Sequence, residues 1–203
     1  MSKEKAKVKV NGEEVGEQAV RFELDRLVRF YKSHGMSEAE IKKSLPELVD
    51  KAIDQAIGAK LLVDMAKKLD LRISEEELDA EVAKVVAQVG GEENFRKALA
   101  AQGLDDAAFR EKIATGVKVN KLVANACSGV PEPTEDEVEA FCKAQGARYA
   151  ANGDVGVREK VKDLLRHEAR GRALDAYIAE LRERATIEYS DGHGQDCDCG
   201  HCH

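Results

Sequence analysis

Apolar residues recur along this chain at two spacings, and the change from one to the other predicts its elements. Residues 5–10 (KAKVKV) alternate polar and apolar, the period of a strand, and run into Asn11-Gly12, a strong turn pair. From residue 18 the period becomes helical. Val20, Leu24, Leu27, Val28 and Tyr31 form one stripe over 18–34, and Gly35 ends it. Ser37 with Glu40 makes a capping box for a short second helix. A third helix is predicted over 46–69, with Pro46 in its first turn. Val49, Ala52, Ala56, Ala59 and Val63 share one of its faces, while Ile57, Leu61 and Met65 share another. Apolar residues on both sides predict a central helix with at least two neighbours, and Gly58 leaves room for a close one.

Further helices are predicted over 74–89, 92–101, 105–126 and 134–145. Ser74 and Thr134 open two of them as capping boxes, and Gly90-Gly91 and Gln102-Gly103 separate three. Pro131 and Pro133 mark a boundary, and residues 146–156 (GARYAANGDVG) read as a connector. A long helix over 157–184 follows, and Thr186–Tyr189 reads as a last strand. Because isolated strands are marginal alone, 186–189 is expected to pair with 5–10. The fold class is therefore all-α: a multi-helix body over 1–189 with a small two-stranded pairing of its first and last strands.

Composition narrows the function. Hydrophobic residues are 43% and charged residues 35% of the 203, but aromatics only 4% and Trp is absent, which argues against stacking platforms. A net charge of −7 with no basic face argues against nucleic acid. No apolar run reaches the length of a membrane span, and residues 1–20 lack the apolar core of a secretory leader, so a cytoplasmic location is expected.

Cysteine and histidine are unevenly placed. Ten such residues spread evenly would put about half of one in eleven positions. Residues 193–203 hold six: His193, Cys197, Cys199, His201, Cys202 and His203. Thiolate and imidazole donors suit zinc or nickel, with copper(I) and cobalt(II) also accommodated, and three cysteines with one histidine complete a tetrahedral site. The tail 190–203 has no apolar residue other than cysteine and is expected to be disordered without metal. A tail with no role for metal in the cell is the plainer alternative. Cys199-Gly-His-Cys202 also has the spacing of a thiol–disulfide oxidoreductase, the weaker reading, because the sequence ends one residue later and supplies no helix to lower the first thiol's pKa.

Other residues have plainer roles. Phe22 and Phe30 lie off the apolar stripe and could line a polypeptide-binding crevice, although a core role is favoured for both. His34 is placed to satisfy the last carbonyls of its helix, and His167 sits among charges on a solvated face. Cys127 and Cys142 are expected to be buried, inert thiols. The acidic runs at 75–77 and 135–137 cap helices rather than pair for catalysis.

The order of the words along the chain is more specific than any one of them. VNGEEV leads to LPELVDKAIDQAIGAKLLVDMAKKLDLRISEEELDAEV, then FRKALAAQGLDDAAFREKI, then PTEDEVEAF. This resembles the helical chaperone region of SurA-type and other parvulin-linked peptidyl-prolyl isomerases. The later part also resembles the NifM-like cytoplasmic members, which support maturation of the nitrogenase iron protein. The resemblance covers about 7–145 and 157–189 and implies a last strand returning beside the first. In those families a parvulin domain stands between the two regions. Here eleven residues stand there, far below the roughly 50 of a small domain. The resemblance therefore implies a chaperone-like protein that holds an unfolded or immature client and is not an enzyme. With the tail, the client becomes an apo-metalloenzyme assisted in maturation, or the protein becomes a metallochaperone or metal store. An open apolar cradle could also pair with itself as a homodimer.

Overall fold

The structure, a computed structural model, describes residues 7–144 and 155–190. Eight helices and three short strands lie among them. They fall into two compact units: Met1–Asp64 with Leu181–His203, and Met65–Glu180.

In the first unit, β1 (Lys7–Val10) turns at Asn11 and Gly12 into β2 (Glu13–Glu14). Both turn residues have positive φ, 51° and 82°, as a two-residue hairpin requires and as Asn-Gly tolerates. On its other side β1 pairs antiparallel with β3 (Ile187–Ser190), Lys7 opposite Ser190 and Val10 opposite Ile187. The sheet order is β2-β1-β3, so the expected pairing of first and last strands is present and gains a third strand. Glu13 and Glu14 carry no apolar alternation, which is why periodicity was silent about β2. Ser190, read as the start of the tail, belongs to the sheet. Val8 and Val10 face inward, 3% and 0% exposed, while Lys7 and Lys9 face solvent.

α1 (Glu17–Ser33) ends at Gly35, whose φ of 89° favours glycine. α2 (Glu38–Lys43) starts at the Ser37–Glu40 capping box, with both reciprocal bonds made. α3 (Leu45–Lys68) buries Leu48, Ala52, Ala56, Ile57 and Leu61 in this unit, whereas Ala59, expected on an apolar face, is exposed. Three polar ties hold the neighbours of α3. Arg26 of α1 donates to Gln55 Oε1 at 3.3 Å. Lys60 donates to Glu13 of β2 at 2.7 Å. Arg182 donates to the Asp54 carboxylate at 3.0 Å and to its carbonyl at 2.7 Å.

The second unit contains α4 (Glu75–Gln88), α5 (Glu92–Gln102), α6 (Asp106–Ala126), α7 (Glu135–Ala144) and most of α8 (Val155–Glu183). Phe95 and Phe109 meet edge-on with centroids 4.9 Å apart. The acidic caps do more than begin helices. Glu75 and Asp79 both pair with Arg110 of α6, and Glu77 pairs with Lys121 at 2.7 Å. Glu135 of α7 pairs with Arg158 at 2.8 Å and also with Lys162, both on α8. α8 begins at Val155, so the last two residues expected in the connector are helical. Cys127 and Cys142 are free thiols but half-exposed, not buried as expected. No helix of the described residues is long and apolar enough to cross a membrane.

Candidate functional site

A groove of about 700 Å³ opens in the first unit between the hairpin, α1 and α3. This is within the roughly 300–1,000 Å³ of common binding clefts. Its construction follows from the local folds. The inward face of β1 supplies Val8, and the chain leaving β2 supplies Val15, 7% exposed. One turn-spaced row of α1 adds Val20 and Leu24, and α3 adds Val49 and Ile53; these four are half-buried. Apolar walls therefore stand partly open to water.

Charges of both signs border these walls, Lys7 and Arg21 beside Glu14 and Asp50. Lys7 lies 3.9 Å from Glu14. A mixed rim round an apolar floor suits a backbone and side chains of varied sequence better than one small charged ligand. Among the described residues the lining contains no Ser, Thr, Cys, His or Tyr; it combines apolar walls with lysine, arginine and carboxylate side chains.

Polar contacts behind the groove brace its frame. The Lys60 side chain is only 19% exposed, and it bridges Glu13 of the hairpin and Asp64 of its own helix. Burial alone would lower its pKa, but the two carboxylates outweigh that and raise it. Arg26 also lies 2.8 Å from the carboxylate of Glu23, which is buried on α1. That contact is one of charge, since Glu23 Oε2 lacks an aligned hydrogen bond.

Phe22 and Phe30 are not in the core: they are 61% and 53% exposed. The turn of α1 explains this for Phe22, because the inward arc carries the half-buried stripe through Val20, Leu24 and Leu27, and Phe22 points almost opposite. Neither phenylalanine lines the groove. Phe30 lies against His34, centroids 4.1 Å apart, and meets Tyr31 edge-on at 5.5 Å. His34 takes its expected part at the helix end, its Nδ1 2.8 Å from the Phe30 carbonyl. His167 is exposed, as expected of a solvated face. The six proposed metal ligands, His193, Cys197, Cys199, His201, Cys202 and His203, lie outside the described residues, as do the tail from 191 and most of the connector. Among the described residues no cluster of His, Cys, Asp or Glu is arranged to hold a metal.

Sequence reasoning did not find the groove. Val15, Arg21, Val49 and Ile53 come together only through tertiary packing. The usable signal was the surplus of apolar faces on α3, which promised more neighbours than the local pattern could name.

Known proteins share this architecture. Residues 1–123 match the SurA-like N-terminal domain family. The chaperone SurA of Methylococcus capsulatus is 27% identical over 177 residues, covering 75% of this chain and 38% of that protein. The chaperone SurA of Saccharophagus degradans is 25% identical over 150 residues, covering 64% and 35%. The chain thus spans a little over a third of the length of these curated relatives. A solved structure from work on PEB4 and Cj1289, two structurally related SurA-like chaperones of Campylobacter jejuni, superposes with a TM-score of 0.51. It is 14% identical, covers 93% of this chain and 100% of that chain, and shows a shared fold.

Proposed function

Because the chain belongs to the SurA-like N-terminal domain family, we propose that it is a chaperone-like protein that holds an extended, incompletely folded polypeptide in the groove between hairpin, α1 and α3. The observation that carries this reading is the groove itself: half-open apolar walls under a rim of both charges. An extended chain gains by burying alternate apolar side chains along the walls while its backbone stays near the polar rim. Prolyl isomerisation is not part of the proposal. Aggregation of a chemically denatured client in the presence of the protein is the test. Suppression that is lost in Leu24→Asp supports the reading, and no suppression across several clients rejects it.

The finer part of the proposal concerns the client. Six sulfur and nitrogen donors follow the last strand within thirteen residues, which favours a client that itself needs a metal ion. The protein then assists maturation of an apo-metalloenzyme in a reducing, cytoplasmic compartment where the thiols stay free. Phe22 and Phe30 add a second apolar contact for such a client outside the groove. The alternative is a metallochaperone or metal store that delivers zinc, nickel or copper(I) without holding a chain. Metal titration of the full-length protein, followed by transfer to an apo-acceptor with no exposed apolar segment, separates the two.

A further inference from the structure

We propose that the outer edge of β3 takes an extended polypeptide segment as a fourth strand of the sheet, one whose apolar residues alternate with basic ones. This rests on the polypeptide-holding reading and gives it a second contact, made by main chain rather than by groove walls.

The hydrogen-bond phase of the sheet decides which groups face outward. The Asn11 N–H donates to the Thr186 carbonyl at 2.8 Å, so Thr186 turns its main chain toward β1. In an antiparallel ladder the direction alternates from residue to residue. Glu188 and Ser190 therefore also turn toward β1, whereas Ile187 and Tyr189 turn away. The other side of β1 agrees: the Val8 carbonyl accepts from Val15 N–H at 2.8 Å and so points away from Tyr189, its partner in register. Two N–H groups and two carbonyls thus face outward from β3 at the spacing of a strand. Among the described residues nothing takes them up, and β3 is an edge of the sheet.

The side chains extend the same offer. Residues opposite one another share a face, so Ile187 and Tyr189 continue the inward apolar face of Val10 and Val8 toward the edge. Tyr189 is nevertheless 53% exposed, against 3% for Val8. An added strand would cover that ring with an apolar residue. On the opposite face Glu188 is exposed, and among the described residues no cation pairs with it. A lysine or arginine of the incoming strand would stand beside it.

The two edges of the sheet differ. β2 is two residues long, both are glutamates, and Glu13 is held by Lys60 at 2.7 Å, all of which guards an edge against pairing. β3 has no proline, no lysine and an unbroken register. A second copy fits it poorly. In the register of greatest overlap, a two-fold at Glu188 sets two carboxylates opposite each other, which is destabilising. A four-residue edge also falls short of the roughly 1,200 Å² of a stable pair. A single incoming chain needs neither.

The test uses the full-length protein and a fluorescent eight-residue peptide of alternating valine and lysine. A second peptide of the same sequence is N-methylated at its four central amides, which keeps the side chains and removes donors from both strand edges. Fluorescence anisotropy is expected to show at least tenfold weaker binding of the methylated peptide. Amide hydrogen exchange followed by NMR is expected to slow at Ile187 and Tyr189 when the unmethylated peptide is added. Tyr189→Pro deletes one outward donor without removing a bond to β1, and should weaken the peptide at least tenfold. Tyr189→Ala keeps that donor and should weaken it less than about fivefold. Should the proline variant fail to fold, hydrogen exchange in the wild-type chain decides. Leu24→Asp in the groove should leave the methylation effect in place. Equal binding of the two peptides, or unchanged exchange at both amides, overturns the strand addition. If denatured clients are still protected in that case, the groove reading stands; if they are not, it falls as well. Protection of the two amides that rises with protein concentration in the absence of peptide assigns the edge to a second copy and overturns the proposal.

Discussion

Asn11 and Thr186, 175 positions apart, are joined by a reciprocal pair of hydrogen bonds. The Asn11 N–H donates to the Thr186 carbonyl at 2.8 Å, and the Thr186 N–H donates to Asn11 Oδ1 at 3.1 Å. One residue thus makes the hairpin turn, with φ 51°, and receives the strand that returns from the far end of α8. Asn11→Ala is expected to cost about 1–2 kcal/mol, from the lost side-chain bond and the strained left-handed backbone. Asn11→Gly relieves the strain but not the lost bond, so it falls between alanine and wild type. Urea unfolding of the three proteins checks the order.

Lys60 sets an alkaline limit. Its folded pKa is raised above the ordinary lysine value of 10.5, because Asp64 and Glu13 together outweigh the burial that alone would lower it. A raised lysine pKa gives stability that is complete below the unfolded value and fades as pH climbs past it. Relative to Lys60→Met, wild type is therefore expected to lose its advantage above about pH 10.5. Urea midpoints of both proteins between pH 9 and 12 measure this.

Glu135 works in the opposite direction. Bonding to Lys162 and then to Arg158 holds its carboxyl down to about 2, from the ordinary glutamate value of 4.5. A depressed carboxyl pKa gives stability that is present above the unfolded value and lost as pH falls through the folded one. Glu135→Gln is expected to flatten the acid limb of stability between pH 4.5 and about 2. Because all three groups are at the surface, the effect is small and shrinks in high salt. Unfolding curves at low and high ionic strength provide the check.

The two apolar surfaces of α1 are expected to separate in binding assays. Leu24→Asp puts a charge against the groove wall and should weaken a short apolar peptide tenfold or more. Phe22→Ala with Phe30→Ala should leave that peptide within twofold, since neither side chain lines the groove, yet reduce protection of a long denatured client. Fluorescence anisotropy for the peptide and light scattering for the client distinguish them.

Metal removal is expected to leave the fold alone. The proposed donors all follow the last strand in sequence, so an ion held by them is expected to bind the folded and the unfolded chain alike. Such binding stabilises neither state over the other. Thermal melting followed by circular dichroism should give the same midpoint with and without a chelator, although metal analysis of the same samples differs.

Much of the fold could be read from local chemistry. Ser37 and Thr134 announce their helices because a short hydroxyl followed by a glutamate three residues on satisfies N–H groups that nothing else can reach. The joining of the first and last strands was legible because an isolated strand is marginal alone and Thr186–Tyr189 was the other strand-like run. Other features needed the third dimension. Arg182 and Asp54 are 128 positions apart, and no periodicity links them. Phe22 and Phe30 were misread because aromatic rings usually seek the interior, while here the inward arc of α1 carries the stripe through Val20, Leu24 and Leu27 and both rings stay exposed. The acidic caps were read correctly as caps, but their other role, pairing with α6 and α8, depends on which helices become neighbours.

β1 reaches its β3 partner only after everything between them has been made. Residues 65–180 of the second unit are synthesised while the first strand still lacks that edge, and the groove wall carrying Lys7 and Val8 is completed only once residue 190 is available. Such long-range closure is slow compared with helix formation. A ribosome-bound chain stopped short of that point would carry the groove with one wall unsupported, so the polypeptide holding proposed for it is expected to begin only after synthesis has passed the returning strand.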